Sequence, residues 1–133
     1  TSPDENRGLR HLCLRLKIRP RPTAITELIG RNLAAVTADD FNRMMDQDLS
    51  WAYDIGMRAQ SVGDGEAVIR LEFPEEMLRP GGTVARPFLM ALADAAMYAA
   101  VMGKLGIVKM TVTSNLNINF LQPPNPGALL AEA

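Results

Sequence analysis

From His11 to Arg19 apolar and polar residues alternate strictly: Leu12, Leu14, Leu16 and Ile18 fall on one face, Cys13, Arg15, Lys17 and Arg19 on the other. A period of two predicts a half-buried strand, and a cationic outer face suits a protected sheet edge. Pro20 and Pro22 end it, and residues 23–36 read as a short helix weakened by Gly30. Thr37-Ala-Asp-Asp40 opens a helix that should run to about Leu49, because Thr37 can cap it and Asp39 and Asp40 suit the positive end of its dipole. From Tyr53 to Phe73 the apolar spacing predicts strands at 53–62 and 66–73, joined by a hairpin at Gly63-Asp64-Gly65.

Pro74 to Gly82 reads as a loop, and Pro87 fits the first turn of a long apolar helix ending near Gly103 to Gly106. A long strand is expected from Lys109 to Leu121, then a turn at Pro123-Pro124-Asn125-Pro126-Gly127, then a further strand from Ala128. The order helix, β-hairpin, long helix, long strand, strand implies an α+β fold with an antiparallel sheet curled around one apolar helix. The apolar run from Pro87 to Met102 is shorter than the roughly 20 residues needed to span a bilayer, so it reads as a core helix. Within it Asp94 is the one charged residue, and a buried carboxylate without partners is costly enough to need a use.

Composition narrows the classes. The net charge of −1 gives no case for nucleic acid or an anionic membrane, and 47% hydrophobic residues are ample for a single core. The charge is uneven: residues 1–36 carry +4 and residues 37–133 carry −5. A lone cysteine, Cys13, permits no internal disulfide, and a lone histidine, His11, leaves no Cys/His spacing suited to a metal. The expectation is a cytoplasmic protein with no cofactor. There is no phosphate loop and no dinucleotide glycine fingerprint.

Three segments carry a family likeness: Arg79-Pro-Gly-Gly-Thr-Val-Ala-Arg-Pro-Phe-Leu-Met-Ala-Leu-Ala-Asp94-Ala-Ala, then Thr111-Val-Thr-Ser-Asn-Leu-Asn-Ile-Asn-Phe-Leu-Gln-Pro-Pro, then Gly127-Ala-Leu-Leu-Ala-Glu-Ala. Together they resemble the hotdog-fold acyl-CoA thioesterases, and most nearly the phenylacetic-acid-pathway group. The resemblance covers roughly residues 40–133. It implies a hotdog domain over 37–133 that stops short of the family's last strands, preceded by a basic extension over 1–36 with an edge strand at 11–19.

The resemblance also implies a mechanism. The family's helix Asp acts on the thioester carbonyl as nucleophile or as general base, and Asp94 matches it. A hydroxyl on the following strand matches Thr113. Backbone N–H groups at the helix start polarise the carbonyl, which here points to Arg86 or Phe88, since Pro87 has none. Gly82 belongs to the glycine turn, and Arg79 stands where relatives often carry Asn and could meet an acyl carbonyl or a CoA phosphate. Ala85-Arg86-Pro87 departs from the family's glycine-rich approach, so Arg79 and Arg86 are read equally as solvated loop charges. The implied substrate is an acyl-CoA and the implied assembly a homodimer or homotetramer, with neither nucleic acid nor membrane as partner. The alternative is a non-catalytic acyl-CoA-binding or regulatory hotdog protein.

Around these residues, helical spacing puts Met90, Ala91, Met97 and Tyr98 beside Asp94. Strand alternation puts Thr113, Asn115, Asn117 and Asn119 on one face, a pattern that suits a dimer interface or a solvated face. The methionines, including Met44, Met45, Met90, Met97 and Met102, read mainly as core filler, with an acyl tunnel as a secondary use.

Overall fold

A computed structural model of the chain describes residues 17–20, 34–72, 75–124 and 127–133. Residues 11–16 of the first expected strand and 23–33 of the weak helix lie outside the described residues. The described elements are β1 (Lys17–Pro20), α1 (Ala38–Asp48), α2 (Ser50–Asp54), β2 (Met57–Val62), β3 (Ala67–Leu71), a 3-10 turn (Glu75–Met77), β4 (Leu78–Arg79), β5 (Thr83–Val84), α3 (Arg86–Leu105) and β6 (Leu129–Glu132). The main sheet is antiparallel in the order β1-β6-β3-β2, and β4 and β5 form a separate small hairpin. The architecture is α+β, with the long helix packed on one face of the sheet.

Helix α1 starts where its sequence says it should. The Asp40 amide donates to Thr37 Oγ1 at 3.1 Å and the Thr37 amide to Asp40 Oδ2 at 3.2 Å, a reciprocal capping box. The chain then makes a second short helix where strand had been expected from Tyr53. Gly56, at φ 95°, ends α2 and turns the chain so that β2 begins only at Met57. In β2 the buried positions are Met57, Ala59 and Val62, which breaks a period of two. A bulge explains it: Ala59 faces Ile69 and Ser61 faces Val68, so Gln60 is an extra residue.

Helix α3 presents Leu89, Leu92, Ala93, Ala96, Ala99, Ala100 and Gly103 to the sheet, recurring three and four residues apart as a packed stripe must. Most of these are small, which lets the helix lie close. At its end Gly103 meets the hairpin turn, and the Ala35 amide donates to the Gly103 carbonyl at 2.9 Å. Opposite the stripe lie Met57, Ile69, Leu71 and Leu129, all fully buried. Each large apolar side chain buried this way stabilises by about 1.5–3 kcal/mol, whereas an exposed pair such as Lys104 with Asp64 gives at most about 1 kcal/mol. Packing, not charge, sets where α3 sits. At 20 residues α3 is longer than its uninterrupted apolar run, and by length and composition alone it could cross a membrane. Here one stripe of that apolar surface packs on the sheet.

The strand expected at Lys109 to Leu121 does not form: residues 106–124 run as irregular chain. Strand propensity needs a ladder to realise it, and this segment pairs with no strand among the described residues. β1 covers the outer edge of β6, and at β2 the backbone of Ala59 is bonded by the Asn42 side chain. The intended alternation is therefore lost, and residues of both faces, Thr113 and Val112 alike, are exposed.

Candidate active site

A cavity of about 690 Å³ opens between α1, α2, α3 and the irregular segment 109–116. Its floor is apolar: Phe41, Met44 and Met45 of α1, Ala52 of α2 and Met57 of β2. Helix α3 contributes a second stripe, Ala91, Asp94, Ala95 and Tyr98, distinct from the one buried on the sheet. This double use explains why α3 is apolar nearly all round. It also corrects the reading of Asp94 as a buried charge. Its stripe faces the cavity, so the carboxylate is exposed, and no charged residue is buried among the described residues.

Thr113 Oγ1 donates to Asp94 Oδ1 at 2.5 Å, the short end of the range for a hydroxyl on a carboxylate. The two residues that sequence reasoning paired thus meet, nineteen positions apart in the chain. Of the four residues placed beside Asp94 by helical spacing, Ala91 and Tyr98 share the cavity wall, while Met90 and Met97 do not. Of the methionines, Met44 and Met45 line the cavity and Met102 is buried outside it. Asn115 borders the cavity, whereas Asn117 and Asn119 stand exposed outside it.

The remaining site residues from the sequence lie apart from this wall. Arg79 and Gly82 are exposed on the β4–β5 hairpin, where Gly82 takes φ 73° and its amide donates to the Arg79 carbonyl at 3.0 Å. Gly82 therefore serves the turn, since nothing approaches within 4 Å of where its Cβ would be. Arg86 opens α3 with its guanidinium carbon 5.3 Å from the centre of the Phe120 ring. The Phe88 amide, one of the two donors named for the carbonyl, is committed to the Ala85 carbonyl at 3.1 Å.

Sequence reasoning missed the outer rim. Trp51 projects from α2, half exposed, and the cavity is closed there by Asp48 and Lys109, paired at 2.8 Å. The Tyr98 hydroxyl donates to the Lys109 carbonyl at 3.1 Å, and its ring meets Phe41 edge-on at 6.0 Å between centroids. Partial burial pushes the Tyr98 phenol above its ordinary value; the nearby Asp48 carboxylate adds to this and Lys109 opposes it. Asn42, from α1, holds both backbone groups of Ala59, at 2.7 Å and 3.0 Å, and so docks the cavity's α1 wall to β2. An Asn five residues after the Thr37 cap was the available signal.

Comparison with known proteins gives this geometry a context. Residues 81–133 match the model of the thioesterase superfamily. No curated protein matches the chain significantly. Among solved structures, the PaaI protein of the E. coli phenylacetic acid degradation operon is 26% identical, with a TM-score of 0.61 over 71% of this chain and 67% of that one. A conserved protein from Pseudomonas aeruginosa is 25% identical, with a TM-score of 0.58 over 62% of this chain and 66% of that one. A phenylacetic acid degradation-related protein from Ralstonia eutropha JMP134, at 24% identity, has a TM-score of 0.55 over 69% and 74% of the two chains, a likeness of fold. The chain thus spans about two thirds of the length of the first two. In its motif-bearing segment and in its fold, the chain is similar to the hotdog-fold proteins of the thioesterase superfamily.

Proposed function

We propose that the protein is an acyl-CoA thioesterase in which Asp94 activates water. The observation that carries this reading is the Thr113 hydroxyl bonded to Asp94 Oδ1 at the wall of an apolar cavity. The bond fixes the carboxylate and leaves Oδ2 to accept a proton from water. The resulting hydroxide adds to the thioester carbonyl carbon; collapse of the tetrahedral intermediate breaks the C–S bond, and the thiolate takes the proton back from Asp94. Free acid and CoA leave, and the carboxylate is regenerated. Direct attack by Asp94 on the carbonyl uses the same geometry through an anhydride that water then cleaves.

The apolar floor suits the acyl group, and because Arg86 precedes Asp94 on α3 by eight residues, about 12 Å, its amide and the helix dipole would meet the developing oxyanion from a second copy of the chain. Arg79 and Arg86, exposed near that start, suit the anionic carrier. The working assembly in this reading is a homodimer or homotetramer in the cytoplasm. Met110, Val112 and Leu121, between 80% and 93% exposed along one irregular segment, support an interface there.

Asp94→Asn should abolish thiol release from acyl-CoA while leaving the fold intact. Undiminished turnover by that variant in a free-thiol assay over a panel of acyl-CoAs would sink the assignment. A non-catalytic acyl-CoA-binding protein is the second reading, favoured by the engaged Phe88 amide and by Pro87 at the helix start. Calorimetric binding with no thiol release would establish it.

A further inference from the structure

Between the end of α3 and Leu116 the chain crosses the cavity as a strap that belongs to no sheet. Two side chains of α3 hold it. Asp94 receives the Thr113 hydroxyl at 2.5 Å, and Tyr98 gives its own hydroxyl to the Lys109 carbonyl at 3.1 Å. The tethered residues are four apart on the helix and four apart on the strap, in opposite order, so the strap lies antiparallel on the helix with two rungs. One helical turn separates residues four apart, about 6 Å along the axis, and that spacing fixes which strap residue can reach Asp94.

The rungs differ in kind. Thr113 is part of the reaction as read above, whereas the Tyr98 hydroxyl bonds the strap through a backbone carbonyl. A backbone contact cannot choose a residue by its chemistry, but it can choose a register. With no ladder bonds in the strap, a slip of one residue would set Val112 or Ser114 against Asp94 in place of Thr113. We propose that Tyr98 is a positioning residue: by holding the Lys109 carbonyl, its hydroxyl sets the register in which the strap delivers Thr113 to Asp94. The ring itself is anchored edge-on against the buried Phe41, so the hydroxyl projects from a fixed base. The Lys109 ammonium, on Asp48 at 2.8 Å, secures the same residue from its side-chain end but fixes no register on α3.

The inference rests on the roles given to Asp94 and Thr113 above, and the test separates the two. Tyr98→Phe removes one oxygen and keeps the ring on Phe41. Wild type, Tyr98→Phe, Thr113→Val and the double variant are compared by steady-state thiol release and by amide hydrogen exchange of residues 109–116. Tyr98→Phe should lower kcat by about tenfold with KM changed by less than about twofold, the scale of a small misplacement near the reacting atoms. It should cause no further loss in the Thr113→Val background, since it acts through Thr113. Strap amides should exchange faster in Tyr98→Phe. Equal losses in both backgrounds, an unchanged kcat, or unchanged strap exchange would each overturn the proposal. If wild type releases no thiol yet Tyr98→Phe still speeds strap exchange, the tether stands and the hydrolase reading alone fails.

Discussion

Gly103→Ala decides its sign between two effects of known size. In an open helix interior alanine is preferred to glycine by about 1 kcal/mol, so on propensity alone the change should stabilise α3. Here the new Cβ would overlap the Gly63 carbonyl oxygen, lie 2.8 Å from Val62 Cγ1 and sit 3.3 Å from the Gly63 carbonyl carbon. Two of these three atoms are backbone of the hairpin turn, which cannot rotate aside as a side-chain tip can. The Gly63 amide is itself bonded to the Glu66 carbonyl at 2.6 Å, so the whole turn must retreat. Overpacking of this kind costs about 1–3 kcal/mol. Retreat also stretches the contacts that share this approach: the Ala35 amide on the Gly103 carbonyl, and Lys104 with Asp64 at 3.0 Å. The net expectation is a loss of about 1–2 kcal/mol, or roughly 4–8 °C in melting temperature for a domain of this size. Thermal unfolding followed by circular dichroism measures it. A melting temperature equal to or above wild type would show that propensity wins and that α3 does not meet the hairpin this closely.

Two further expectations follow from other contacts. Asn42→Ala should destabilise by about 1–3 kcal/mol in urea unfolding, because it strands the part-buried amide and carbonyl of Ala59, and it should loosen the α1 wall of the cavity. Asp40 is held below its ordinary carboxylate value of 3.8, chiefly by the Thr37 hydroxyl and then by the Thr37 amide. A depressed folded value means that the capping box contributes fully above pH 3.8 and is lost as pH falls through the folded value. Amide exchange in the first turn of α1 should therefore accelerate below pH 3.8, and Asp40→Asn should erase that acid limb; an unchanged limb in the variant would assign it elsewhere.

How far the sequence could be read follows from how local each cause is. The cap at Thr37, the turn at Gly63 to Gly65 and the punctuation of α3 by Pro87 and Gly106 depend on residues within a turn of one another, and each appears where expected. The helix at Ser50–Asp54 was hidden because its residues also fit a strand, and only Gly56 at φ 95° divides them. For residues 109–121 the alternating pattern was real but insufficient, since a strand also needs a neighbouring strand to pair with. The site divides the same way. Asp94 and Thr113 were legible because each stands out within its own segment, a charge in an apolar helix and a hydroxyl on a polar face. Trp51, Asp48 and Lys109 carry no such mark, and they join the site only because α1, α2 and the strap converge on one face of α3.

That convergence bears on how the proposed pair, Asp94 and Thr113, is held. α3 is fixed by its stripe from Leu89 to Gly103 on the sheet, so Asp94, on the other stripe, inherits a rigid position from packing it does not take part in. Thr113 inherits nothing comparable, because its segment has no ladder and its neighbours Val112 and Ser114 are exposed. Its position rests on a few polar contacts that are each worth only about 0.5–1.5 kcal/mol. The hydroxyl is therefore the mobile half of the pair and the carboxylate the fixed half. Changes in the strap should alter how often the pair is formed, while changes beneath α3 should alter whether the protein folds at all.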